Sequence, residues 1–235
     1  MNAETQRKVA KVQETLNLSR SPVGLAFVEQ RPQGVAMTDT KVPSACSFWV
    51  LGAKQVFYAD ASQHANCPVG LHTMGFQAPP AKQEELMGLI STMVKLEYLD
   101  MQEVAAIPTV QKPHRGIVYG PLAQMPVDPD VAVFVCTPSQ AMLLAEASGK
   151  LAWTSGGATA FGRPTCATIP LALKTGNPSM SMGCVGFRVY TQIPDQEMVV
   201  TIPGKDLPSV LDKLDTIVNA NAVLEEFHTK RRAAV

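Results

Sequence analysis

The chain is expected to fold as a single compact α/β (or α+β) domain, with a mixed sheet flanked by helices. Three observations lead there. Residues 131–136 are apolar at every position, the mark of a strand buried on both faces. Thr137-Pro138-Ser139 follows at once and opens a helical stretch over 140–147, so a helix succeeds a strand as in a β–α unit. Further strand-like runs at 22–28, 55–59, 116–120 and 198–202 are interleaved with long helical patterns at 83–101 and 207–227.

The elements follow in order. Residues 4–18 carry Val9, Val12 and Leu16 at helical spacing and read as a capping helix. Residues 22–28 are a short apolar run before the turn-like 30–34, hence a buried strand. Pro43 and Ser44 read as a helix start, with Ser44 as N-cap and Cys46 in the first turn. A strand at 55–59 precedes Cys67, after which Pro68 and Gly70 are expected to break regular structure before helix resumes towards Met74. The helix at 83–101 has Pro79-Pro80 ahead of it and Pro108 as its stop. A strand is expected at 151–154, and a Gly-rich loop, 155–162, leads to a helix at 166–174 closed by Gly176. The strand 198–202 ends at Pro203-Gly204. The expected boundaries are a capping helix over 1–20, one domain over 21–228 and a basic tail over 229–235. Each half holds an apolar strand, a cysteine near a helix start and a second cysteine further on with Gly close behind, which suggests a loose internal duplication.

Composition narrows the function classes. The 235 residues are 46% hydrophobic and 17% charged, which marks a globular chain with a sizeable core. Twenty Lys plus Arg balance twenty Asp plus Glu, so there is no electrostatic case for nucleic acid or an anionic membrane. No apolar run reaches the roughly 18 residues of a spanning helix. The amphipathic N-terminus lacks the apolar centre of a signal peptide, so a cytoplasmic setting is expected, where thiols stay reduced. Five cysteines are poor material for a disulfide framework there.

Four of the five sit in turn-prone surroundings. Cys46, Cys67 and Cys184 adjoin Ser, Asn, Pro or Gly and Cys166 stands two residues after Pro164, whereas Cys136 ends the apolar run and is assigned to packing. No C-x-x-C is present, so spacing alone is a weak signal for a metal. The reading is that the four thiols meet in space as metal ligands. His64 lies three residues before Cys67 as a candidate ligand or proton donor; its plainer reading, like that of His72, is a surface or hydrogen-bonded histidine. Gly162 and Arg163 sit in a loop suited to presenting N–H groups and a guanidinium to an anion, and Arg188 to compensating an anionic cluster or substrate. A plain connection and a surface ion pair are the bland alternatives. Phosphate-loop, dinucleotide and nucleophile-elbow motifs are absent from the sequence. Met180 and Met182 beside Cys184 stand out from the other methionines, which read as core packing.

Six motifs together resemble a known family. They are Ser21-Pro22-Val23-Gly24-Leu25, Ala45-Cys46, His64-Ala65-Asn66-Cys67-Pro68-Val69-Gly70, Pro138-Ser139-Gln140-Ala141-Met142, Gly162-Arg163-Pro164-Thr165-Cys166-Ala167 and Ser181-Met182-Gly183-Cys184-Val185-Gly186-Phe187-Arg188. In this order they resemble the prokaryotic family known as domain of unknown function 169. The resemblance implies a single domain over nearly the whole chain, with family cysteines matching Cys46, Cys67, Cys166 and Cys184, and another small residue usual at Cys136. Pro68-Val69-Gly70 departs from the second Gly common after the matching cysteine. No activity is implied.

The leading functional expectation is a [4Fe–4S] cluster on Cys46, Cys67, Cys166 and Cys184, serving redox chemistry or acting on a small substrate. The alternatives are a structural zinc site on the same thiols, a metal-free thiol enzyme or small-ligand module using Cys166 or Cys67 as nucleophile, and a plain interaction domain. A redox partner or small-molecule substrate is expected, no nucleic acid or membrane partner, and a homodimer from the low surface charge.

Overall fold

The computed structural model describes residues 3–149 and 163–233. The strand expected at 151–154 and the loop 155–162, including Gly162, lie outside the described residues. Among the described residues, six strands, β1 (Val23–Val28), β2 (Phe57–Asp60), β3 (Gly116–Pro121), β4 (Val131–Cys136), β5 (Ser179–Ser181) and β6 (Met198–Pro203), form one sheet in the order β2-β3-β1-β4-β6-β5. The single α/β domain is as expected. The mixed pairing is not: among the described residues every strand pair is antiparallel, and the parallel contact is confined to an isolated Met37–Tyr58 bridge. The helix after β4 does not return a parallel neighbour, because β6 reaches β4 from the opposite direction.

That strand order carries the duplication. Exchanging β1 with β4, β2 with β5 and β3 with β6 leaves it unchanged. β1 and β4 pair antiparallel at the centre, Gly24 opposite Ala132, so the halves are related by a rotation about an axis through the sheet. Such a rotation keeps each half's equivalent helices on the same face. β3 and β6 both end in proline, Pro121 and Pro203, and both run into a 3-10 turn, Leu122–Gln124 and Gly204–Asp206.

Helices cover both faces. Val131, Val133 and Val135 of β4 join Leu25, Phe27, Ile117 and Tyr119 in one core, under α2 (Ser47–Gly52), α4 (Pro68–Thr73), α8 (Thr168–Thr175) and α9 (Val185–Thr191). The alternate residues Ala132, Phe134 and Cys136 face a second core with α1 (Ala3–Thr15), α7 (Pro138–Ser148) and α10 (Leu207–Ala233). Period-two alternation along one fully buried strand thus sends Cys136 to the face opposite the other cysteines, and it packs there as expected.

Local chemistry moves several boundaries. Between α2 and α4, the four-residue α3 (Ala61–His64) is set by a capping box on Asp60. The helical pattern at 83–101 divides into α5 (Pro80–Lys95) and α6 (Met101–Ala106), because Asp100 and Glu103 form a capping box that starts a new helix. Pro68 does not break structure after Cys67; it takes the first position of α4, where its missing N–H has no cost. α10 continues through Lys230, Arg231 and Arg232 to Ala233, where a tail was expected.

Candidate functional site

Each thiol is placed by the start of a helix. Cys46 occupies the N-cap of α2, behind a turn in which the Ser47 amide donates to Ser44 Oγ at 3.3 Å, so Ser44 caps one turn earlier than the helix proper. Cys67 is the N-cap of α4 and its Sγ accepts from the Gly70 amide at 3.2 Å. Cys184 is the N-cap of α9, its Sγ accepting from the Phe187 amide at 3.5 Å. Cys166 lies in the 3-10 turn Thr165–Ala167 that feeds α8. The repeat is visible again here. The first cysteine of each half, Cys46 and Cys166, is buried in a turn before a helix, and the second, Cys67 and Cys184, is half-buried at a helix cap.

The halves are tied together at the sulfurs. Cys46 and Cys166 lie close enough for each to be the main influence on the other's pKa, and Cys67 and Cys184 also act on Cys46. Thr73 of α4, whose hydroxyl donates to the Gly70 carbonyl at 3.2 Å, acts on Cys166, and Ala45 acts on Cys67. The Cys184 amide donates to Oγ1 of Thr165 at 2.7 Å, so the residue before Cys166 anchors the loop of Cys184. Gly70 is required by this crowding: a Cβ there would stand 2.5 Å from that of Ala45 and 3.0 Å from the Cys67 sulfur.

Electrostatics divides the thiols. Cys46, aided by Thr73 and the amides of Cys166 and Ala167, lowers the Cys166 pKa below the ordinary thiol value. Cys166 in turn, with burial, raises that of Cys46 well above it. Burial, followed by the charge of Cys166, pushes Cys67 up to about 11. Cys136, in the other core, is pushed up to about 12 by burial.

His64 does not point a free nitrogen at the sulfurs. Its Nδ1–H donates to the Asp60 carbonyl at 2.7 Å, which leaves Nε2 to accept from the Tyr119 hydroxyl at 2.9 Å. Burial lowers its pKa to about 4, so the imidazole is neutral. Its ring stands 4.8 Å from those of Phe48 and Phe76. Tyr119, which the sequence reading used only as a strand residue, lies between His64 and the thiols. Its hydroxyl is raised well above the usual range by burial, then by the charges of Cys46, Cys166 and Cys67. His72 is exposed.

Neither arginine offers its charge to the thiols. Arg163 lies over the Tyr98 ring at 4.4 Å, donates to the Tyr98 carbonyl at 3.2 Å and faces Glu103 at 3.8 Å. The guanidinium of Arg188 is taken up by the carbonyls of Met182, Ile193, Pro194 and Glu197, and so braces the loop of Cys184. Met180 and Met182 line a surface depression of about 320 Å³ with Met142 and Met198.

The chemistry of the donors is that of soft-metal ligands: four thiols, amide N–H groups bonded to the sulfurs of Cys67 and Cys184, and, among the described residues, no carboxylate bonded to any of the four. Among the described residues, no three His, Cys, Asp or Glu side chains stand in an arrangement that could hold a metal ion. None of the described helices is long and apolar enough to cross a membrane.

The chain is 28% identical over 228 residues to an uncharacterised protein, MJ0308, of Methanocaldococcus jannaschii, covering 90% of this chain and 94% of that one. No solved structure matches it. The model of the family described as uncharacterised ArCR, domain of unknown function 169, matches residues 11–213, and the chain belongs to that family.

Proposed function

We propose that the protein binds a [4Fe–4S] cluster through Cys46, Cys67, Cys166 and Cys184 and uses it in redox chemistry or on a small substrate. The observation that carries this reading is the placement of these four cysteines at four separate helix starts, with Cys46, Cys166 and Cys184 in one core and Cys67 near enough to feel Cys166. Four converging thiolates repel one another strongly in a buried site unless a cationic core lies between them. Such a cluster supplies one-electron transfer or, where a substrate displaces one thiolate from its iron, a Lewis acid. The chain's part is to hold the sulfurs: Gly70 and Phe187 amides fix the outer pair, and Thr73 and the Ala167 amide support Cys166.

A second reading rests on Cys46 and Cys166 alone. Neighbouring thiols, one of them lowered, suit a dithiol that closes to a disulfide and passes two electrons and two protons to an acceptor.

The cytoplasmic setting and the homodimer belong to the same proposal. Exposed Met87 and Leu89 on α5, and Val223, Leu224 and Phe227 on the outer turns of α10, support self-association, which sedimentation of the full chain measures. The cluster is tested by purification without oxygen and by iron and sulfide analysis. Stoichiometric iron and sulfide with broad absorption near about 400 nm is the expected result. Protein free of iron and sulfide overturns it, and zinc in their place selects the single-ion alternative.

A further inference from the structure

Trp49 is 2% exposed, yet among the described residues its indole N–H has no hydrogen-bond partner. Buried indole donors ordinarily find an acceptor, so this one calls for an acceptor beyond the described residues. Its place is specific. Trp49 stands three residues after Cys46 on α2, hence on the same side of that helix one turn on. Its ring packs at 6.0 Å from that of Phe187, which stands three residues after Cys184 on α9. The indole is therefore wedged between the helices that carry two of the four thiols, in the core cluster that also holds Cys166.

We infer that the Trp49 N–H donates a hydrogen bond to a sulfur of the cluster held by the four thiols, making Trp49 a residue that tunes it. The inference rests on the cluster reading. The physical consequence has a sign. Reduction adds negative charge to the cluster sulfurs, a donor stabilises that charge, and the bond raises the reduction potential.

The test compares full-length wild type and Trp49→Phe, both prepared without oxygen, for iron and sulfide content and for midpoint potential. Trp49→Phe is expected to load like wild type and to lose about tenfold in its reduction equilibrium, a fall of about 59 mV for one electron. Benzothienylalanine, which has the indole's shape and lacks the N–H, is expected to give the same fall when it replaces Trp49 in a Trp153→Phe background. It answers for the case in which phenylalanine leaves a void that prevents folding. Full loading with an unchanged potential in either protein overturns the hydrogen bond and leaves the cluster standing. Wild type without iron overturns the cluster reading and this inference with it.

Discussion

The thiols of Cys46 and Cys166, one from each half of the chain, shift each other's pKa in opposite directions, Cys46 upward and Cys166 downward. Each belongs to the buried turn of its own half, and the pseudo-symmetry axis brings the two turns onto one face of the sheet. Cys67 and Cys184 flank them as half-buried helix caps. The site is thus shared by the halves, and neither half holds more than two of its sulfurs.

Replacing any of the four with alanine is expected to abolish stoichiometric iron in protein prepared without oxygen. Cys136→Ala is expected to keep full iron, since its side chain is buried in the opposite core. Its stability cost should be about 1 kcal/mol, the loss of one small buried group. Metal analysis and urea unfolding read the two effects separately. Loss of iron in Cys136→Ala with an intact fold would contradict this ligand assignment.

Gly70→Ala is expected to destabilise the protein by about 1–3 kcal/mol, because the added methyl meets the Ala45 Cβ at 2.5 Å and the Cys67 sulfur at 3.0 Å. Neither neighbour is the far end of a flexible side chain, so the backbone of α4 must move. Thermal unfolding with iron analysis is the check, and a variant as stable as wild type with full iron would show that α4 shifts freely.

Much of this was legible in the sequence. The strands at 22–28, 116–120, 131–136 and 198–202 appear within a residue or two of their expected ends, because uniformly apolar runs bounded by Gly and Pro have few other uses. The separation of Cys136 from the other cysteines was equally legible, since it sits inside such a run. What escaped depended on partners distant in sequence. Nothing around His64 announces that the Tyr119 hydroxyl will take its second nitrogen. Arg188 looks like free charge until Ile193, Pro194 and Glu197 fold back onto it. The antiparallel pairing escaped because an apolar strand followed by a helix reads as a parallel unit, and only the arrangement of both halves decides otherwise.

His64 predicts a pH dependence in the cluster-free protein. Its folded pKa, about 4, lies below the ordinary 6.5 because burial disfavours the cation. Between those values the unfolded chain binds a proton that the folded chain refuses, so stability rises with pH across this window. The contribution, about 3 kcal/mol, is complete above pH 6.5 and is lost as pH falls towards 4. His64→Gln, which can still accept from Tyr119, is expected to flatten that part of the profile. Urea unfolding from pH 7 to 4 compares the two, and parallel profiles would remove His64 as the cause.

Arg188 is expected to matter through the loop it braces. One guanidinium reaches four carbonyls, at 2.5 Å to Met182 and Pro194, 2.6 Å to Glu197 and 3.4 Å to Ile193. Gly183, at φ +91°, gives the turn that brings Met182 round, and a Cβ there would stand 2.9 Å from Arg188 Nε. An ammonium group has three donors on a single point and cannot span that set, so Arg188→Lys should cost about 2–3 kcal/mol. The loosened segment carries Cys184 at its helix cap, and Cys184 is already half-buried rather than enclosed. In cluster-free protein its alkylation should therefore quicken several-fold, while buried Cys46 and Cys166 keep their rates. Mass spectrometry of timed alkylation resolves the individual thiols. Equal acceleration at all four would mean that Arg188 supports the whole fold instead of this loop.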